Sequence, residues 1–213
     1  MKVGIIDYGV GNLGSIARAL EQLRVSPILV DRAIDLHGKD ALILPGVGNF
    51  TDCMQILLKG GWVNVIKDEV HGYDRPLLGI CLGMQLLADL GVEGAIDPRV
   101  GTAGLGLIPG RVVNLATEGC SLRVPHVGWN SIATSDSKSS LFHGIADGTD
   151  FYFVHSYVFR PDQQQSVLAE AVYDIPFAAS VGLRKVWGTQ FHPEKSSRAG
   201  MQLLRNFLFN QQC

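Results

Sequence analysis

Over the first ninety residues, short apolar runs alternate with segments of helical spacing. Val3–Ile6 reads as a buried strand, because an unbroken apolar run suits a strand covered on both faces. Leu13, Ile16, Ala17, Leu20 and Leu23 recur at steps of three and four, which puts them on one helix face. Pro27–Val30 and Ala41–Leu44 predict two more strands, the second stopped by Pro45-Gly46-Val47-Gly48. A helical stretch runs from about Thr51 to Val70 and is broken at Gly60-Gly61. Leu77–Ile80 predicts a fourth strand, followed at once by Cys81 and a helix reaching Leu90. Strand–helix alternation of this kind predicts a parallel sheet with helices on both faces.

The second half has a different rhythm. Asp89–Ala103 is Gly-rich and reads as a surface loop. Arg111–Leu115, Phe151–Val154, Val167–Val172, Ala178–Leu183 and Val186–Phe191 predict short strands, an antiparallel patch packed beside the parallel sheet. Thr134–Ser140 is a polar surface loop. A last helix over about Arg198–Phe209 carries Met201, Leu204 and Leu208 on one face, with Ser196 or Ser197 placed to cap its start. The expected class is α/β: an open, mostly parallel sheet with flanking helices and an added antiparallel patch. No internal repeat or long linker divides the chain, so residues 1–213 read as a single domain.

Composition narrows the function classes. A net charge of −2 gives no basic footprint for nucleic acid or anionic membrane. The N-terminus reaches Asp7 too soon for a signal-peptide core, and no apolar run attains the ~18 residues of a membrane span. Cys53, Cys81, Cys120 and Cys213 form no CxxC pair, and no His/Cys cluster suits a metal. These features predict a soluble cytoplasmic protein with free thiols and no metal. The 25 glycines, about 12% of the chain against a usual ~7%, point to several tight loops.

Three motifs carry candidate chemistry. Gly9-Val10-Gly11-Asn12-Leu13-Gly14, with Asp31 further on, fits a dinucleotide-binding turn. Asp7-Tyr8 interrupts the usual passage from strand to first glycine, so a plain strand-to-helix turn is the competing reading. Gly79-Ile80-Cys81-Leu82-Gly83 places a nucleophile on a sharp turn between strand and helix, with glycines two before and two after it. The Leu82 N–H is then a candidate oxyanion donor, and the following helix would aim its N-terminus at the sulfur. A thiol nucleophile needs a base, and the base an orienting group. His192-Pro193-Glu194 supplies both: Pro193 holds His192 extended, so that Glu194, two residues on, faces the same side. Cys53, Cys120 and Cys213 lack such a frame and read as structural.

Gly-Ile-Cys81-Leu-Gly-Met-Gln85 together with Phe191-His192-Pro-Glu194 resembles the class I (triad) glutamine amidotransferases. Asp7–Leu13, Pro45–Gly48, Gly104–Gly110, Pro125–Asn130, Phe151–Tyr157 and Gln190–Ser197 are similar to the branch serving imidazole glycerol phosphate synthases of histidine biosynthesis. The likeness runs from residue 3 to about residue 208. It implies a flavodoxin-like amidotransferase fold and hydrolysis of L-glutamine through a Cys81 thioester, with His192 as base and Glu194 as its orienter. Val47 and Leu82 would supply oxyanion N–H groups, the former after a peptide rearrangement that Gly46 and Gly48 permit. Gly48, Gln85, Ser156 and Tyr157 would hold the substrate. No cofactor is implied. Ammonia would pass to a (β/α)₈-barrel cyclase subunit in a heterodimer, with Asn12, Trp129, Tyr152 and Lys195 at or near the interface. Core packing is the alternative reading of Trp129 and Tyr152, and His126 and His155 read as structural. Two other functions stay open at this point: the same glutaminase chemistry feeding another acceptor, such as a surface-sugar synthase, and a nicotinamide-dependent oxidoreductase built on Gly9–Gly14.

Overall fold

A computed structural model describes residues 1–134 and 140–210. In chain order the elements are β1 (Lys2–Ile6), α1 (Leu13–Gln22), β2 (Ser26–Val30), β3 (Ala41–Leu44), α2 (Phe50–Lys59), α3 (Trp62–Lys67), β4 (Leu77–Ile80), α4 (Leu82–Gln85), β5 (Leu90–Gly91) and β6 (Thr102–Ala103). They continue with β7 (Gly110–Asn114), β8 (His126–Thr134), β9 (Asp150–His155), β10 (Tyr157–Pro161), β11 (Val167–Tyr173), β12 (Ile175–Leu183), β13 (Val186–Thr189) and α5 (Ser197–Phe209). Positions 135–139 of the expected polar loop, and Cys213, lie outside the described residues.

One mixed sheet has the order β2-β1-β3-β4-β13-β12-β11-β8-β9. Its first five strands are parallel and the rest are joined antiparallel. The antiparallel strands therefore extend the parallel sheet edge to edge instead of packing beside it. A second sheet, β10-β7-β5-β6, stands apart. In the central strands adjacent side chains feed opposite faces: Ile43 joins one apolar cluster with Leu20, Phe153 and Phe207, while Leu42 and Leu44 join the other with Phe50, Trp62 and Ile66. Burial on both sides is why these strands read as continuous apolar runs. Each fully buried Leu, Ile or Phe contributes roughly 1.5–3 kcal/mol. Among the described residues no helix is long and apolar enough to cross a membrane.

Several expectations need correction. The helix after Cys81 is one turn, Leu82–Gln85, and does not reach Leu90. The carbonyls of Leu86, Leu87 and Ala88 are taken instead by the N–H groups of Leu105, Leu107 and Gly106 from a crossing segment. Asp89–Ala103 contains β5 and β6 and so is not wholly loop. β8 carries no strand signature in the sequence because only His126 and Ile132 of its nine residues are buried, so it shows no apolar alternation. β10, likewise unmarked, is a five-residue strand of the smaller sheet, paired to β7. Ser196 occupies the N-cap position of α5 but makes no side-chain cap hydrogen bond.

The register sets the level of the loops. Leu44 pairs with Gly79, and Ile80 with Thr189, so β3, β4 and β13 end side by side. Pro45, Cys81 and Gln190 leave three neighbouring carboxyl ends, the edge where open α/β sheets bind ligands.

Candidate active site

Cys81 follows β4 with φ 56° and ψ −113°, a left-handed conformation costly for a non-glycine residue, about 1–3 kcal/mol. The turn around it is glycine by necessity. A Cβ on Gly83 would stand 1.8 Å from the Leu44 carbonyl oxygen, and one on Gly79 would stand 2.5 Å from that of Gly83. The Cys81 N–H donates to the Thr189 carbonyl at 2.7 Å. Its sulfur lies 3.7 Å from the Val154 carbonyl oxygen and 3.9 Å from Gln190 Nε2. With α4 a single turn, no long helix dipole points at the sulfur. The Leu82 N–H has no hydrogen-bond partner among the described residues.

His192 is buried and lines the same cavity as Cys81. Its Nδ1–H donates to Glu194 Oε1 at 2.8 Å, and the Glu194 side chain is only 1% exposed. The expected contact is present, but its local cause differs. β13 ends at Thr189, and Glu194 lies in a 3₁₀ turn, Pro193–Lys195, with Pro193 at its start. His192 itself is extended, at φ −97° and ψ 98°, as the following Pro193 predicts, and the turn after it brings the carboxylate to the ring. Burial favours the neutral imidazole, but interaction with Cys81 and Glu194 outweighs it and pushes His192 up to about 9.

A cavity of about 290 Å³ opens beside these groups. Val47, Gly48, Cys81, Leu82, Gln85, Ser156, Tyr157 and His192 line it together. Gln85 Nε2 donates to the Tyr157 carbonyl and to Gln190 Oε1, both at 3.0 Å. Glu93 also lines the cavity, accepts the Phe50 N–H at 3.0 Å, and has its carboxyl pushed up by burial. No sequence signal marked Glu93, which sits in the stretch read as a surface loop. Gln190, at the head of the Gln190–Ser197 segment, touches both Cys81 and Gln85, contacts that no local pattern encodes.

His126 and His155 form a buried pair, and His155 also lines the cavity. Because the Tyr157 carbonyl can only accept, His155 Nδ1 donates to it at 3.0 Å and Nε2 must accept from His126 Nδ1 at 2.9 Å. Burial pushes His126 down to about 4 and His155 to about 3, so both rings are neutral. Trp129 is 53% exposed, ruling out core packing for it; its ring meets that of half-buried Tyr152 edge-on at 6.1 Å. Lys195 Nζ lies 5.9 Å from the Tyr152 ring centroid. Asn12 is exposed at the start of α1 and makes no hydrogen bond to these three. The Gly9–Gly14 turn packs against the loop after β3: a Cβ on Gly11 would lie 3.2 Å from Pro45 Cβ. Among the described residues no cluster of three or more His, Cys, Asp or Glu could hold a metal ion.

The family model for Glutamine amidotransferase class-I matches residues 4–211. Imidazole glycerol phosphate synthase subunit HisH of Halalkalibacterium halodurans is 47% identical over 208 residues, covering 96% of this chain and 94% of the relative. The subunit of the same name from Rhodospirillum rubrum is 44% identical, covering 98% of each chain. Among solved structures, one described as a glutamine amidotransferase is 25% identical with TM-score 0.71 and covers 98% of both chains. PurLQS from Thermotoga maritima, at 17% identity and TM-score 0.74 over 99% of both chains, shares the fold. The chain belongs to the class-I glutamine amidotransferase family and, within it, to the imidazole glycerol phosphate synthase subunit HisH group.

Proposed function

We propose that this chain is the glutaminase subunit of an imidazole glycerol phosphate synthase, acting through Cys81, His192 and Glu194. The observation that carries the reading is that Cys81 and His192 line one cavity large enough for one amino acid, with His192 hydrogen-bonded to buried Glu194. The Cys81 sulfur, as thiolate beside the His192 imidazolium, attacks the side-chain amide carbon of L-glutamine. Carbonyl π electrons move to oxygen, and Leu82 N–H and a reoriented Val47 N–H receive that oxyanion. On collapse the C–N bond breaks, and His192 gives its proton to the leaving ammonia. Water then attacks the thioester while His192 takes its proton; the C–S bond breaks, releasing glutamate and returning the ion pair.

Gln85 spends both known donor contacts on its surroundings, which leaves its amide oxygen to accept from the substrate's α-ammonium. Glu93 supplies the matching negative charge. Gly48 and the Ser156–Tyr157 backbone hold the substrate's other end. Ammonia passes to a (β/α)₈-barrel cyclase subunit docked over Trp129, Tyr152 and Lys195, with Asn12 at its margin. Exposed Val127 and Val154, paired across β8 and β9, extend that surface. Reconstitution with the cyclase subunit tests both halves. Cys81→Ala should abolish glutamine-dependent synthesis and leave ammonia-dependent synthesis intact; retained glutaminase in that variant sinks the mechanism. Co-purification with a different acceptor synthase would redirect the pathway assignment.

A further inference from the structure

Pro45-Gly46-Val47-Gly48 links β3 to α2 and passes against the nucleophile turn. A Cβ on Gly46 would stand 2.8 Å from Gly83 N and 3.0 Å from Leu82 Cβ. The peptide units of this segment are held unequally. The Tyr8 hydroxyl donates to the Pro45 carbonyl at 3.0 Å. The Cys53 thiol donates to the Val47 carbonyl at 3.4 Å. Between them, the Gly46 carbonyl and the Val47 N–H have no hydrogen-bond partner among the described residues.

In a planar trans peptide the C=O and N–H point in opposite directions, so fixing a carbonyl fixes the N–H of the same unit. Tyr8 thus fixes the Pro45–Gly46 unit, and Cys53 fixes the Val47–Gly48 unit. The two donors come from different places in the chain: Tyr8 from the bend after β1, Cys53 from the first turn of α2, whose start is capped by the Asn49 side chain. Both are buried, at 5% and 2% exposure, and burial pushes the phenol and the thiol up, so each keeps its proton to donate. Neither lines the cavity.

We propose that Tyr8 and Cys53 are positioning residues for the oxyanion donor: they pin the peptide units on either side of Gly46–Val47 and confine reorientation to that one unit. The inference rests on the glutaminase reading above. A unit between two pinned neighbours turns by opposite rotations about ψ of Gly46 and φ of Val47, leaving the chain path in place. With either pin gone, further torsions join the motion, and the Val47 N–H faces the tetrahedral oxygen in fewer conformers. Substrate binding does not depend on the Val47 N–H, so loss of the Tyr8 pin falls on kcat; the Cys53 pin also steadies Gly48, which holds the substrate, so its loss raises KM as well.

The test uses the full-length chain reconstituted with the cyclase subunit. Loss of a whole oxyanion donor costs about 10²–10³ in kcat, so a loosened one should cost part of that. Cys53→Ala and Tyr8→Phe are expected to lower glutaminase kcat about 5- to 30-fold, with KM for glutamine within about twofold in Tyr8→Phe and raised in Cys53→Ala. Cys53→Ser, whose hydroxyl can still donate to Val47, should recover most of the loss. Alkylation of Cys81 by iodoacetamide forms no oxyanion, so its rate, read by mass spectrometry, should stay within about twofold. Unchanged kcat in both deletion variants overturns the inference. So does a KM rise in place of the kcat loss, or a parallel fall in kcat and alkylation. Failure of the parent reading looks different: Cys81→Ala would then keep its glutaminase activity.

Discussion

The Ser196 hydroxyl donates to the backbone carbonyl of His192 at 2.6 Å, and the same oxygen accepts the N–H of Tyr152 at 3.0 Å. His192 N–H in turn donates to the Tyr152 carbonyl at 2.9 Å. The base is thus fastened by its main chain to β9, the strand that also carries the Val154 carbonyl facing the sulfur. Ser196 is 1% exposed, so its hydroxyl is an interior fastening.

Ser196→Ala removes that donor and leaves the partly buried Tyr152 N–H unpaired. Unpaired buried groups cost about 1–3 kcal/mol, and the variant should lose that much in urea unfolding at pH 7. Glutaminase kcat should drop more than KM changes, because His192 loses its fixed backbone. Stability equal to the parent would show that the hydroxyl is dispensable.

Glu194→Gln removes the charge that helps raise His192. The folded value of about 9 lies above the ordinary 6.5, so the imidazolium's contribution is fully present below pH 6.5 and is lost as pH rises through about 9. The alkaline limb of the kcat/KM profile should therefore fall near pH 9 in the parent and at lower pH in Glu194→Gln. An alkaline limb that stays in place would remove Glu194 from its orienting role.

Glu93→Gln neutralises the carboxylate facing the cavity. A charge-assisted hydrogen bond is worth about 1.5–3 kcal/mol, so KM for glutamine should rise roughly 10- to 100-fold with kcat little altered. Steady-state kinetics decide it; an unchanged KM would place the α-ammonium elsewhere.

The His126–His155 pair predicts acid sensitivity. Both folded values lie below 6.5, so their stabilising effect is present above pH 6.5 and is lost as pH falls toward about 4 and about 3. Urea midpoints should decline between pH 6 and pH 4. His155→Gln, which can still donate to the Tyr157 carbonyl, should flatten that decline. An equally steep decline in the variant would assign the sensitivity to other groups.

Legibility in the sequence followed burial. β1, β3 and β4 were plain because both their faces are covered, and α1 because one face is. β8 was opaque because seven of its nine residues face solvent at least partly, leaving no period to read. The cavity residues divide the same way. Cys81, His192 and Glu194 stand in compact motifs whose local geometry is encoded within a few positions. Glu93 lies in a Gly-rich stretch with no periodicity, and only the fold of that stretch against α2 brings its carboxyl to the cavity.

By itself, the sequence determined the strand-to-helix turn at Cys81, the glycines that turn requires, and the adjacency of His192 and Glu194, since each depends on backbone sterics within five residues. The tertiary structure alone decided that the antiparallel strands continue the parallel sheet, that the helix after Cys81 stops after one turn, and that Glu194 reaches His192 through a 3₁₀ turn. It also decided the hydrogen bonds from Tyr8 and Cys53, 37 and 6 residues away in sequence from the carbonyls they bind. Hydrogen bonds between distant segments leave no periodic trace in a chain, because the donors and acceptors meet only after the sheet has set its register.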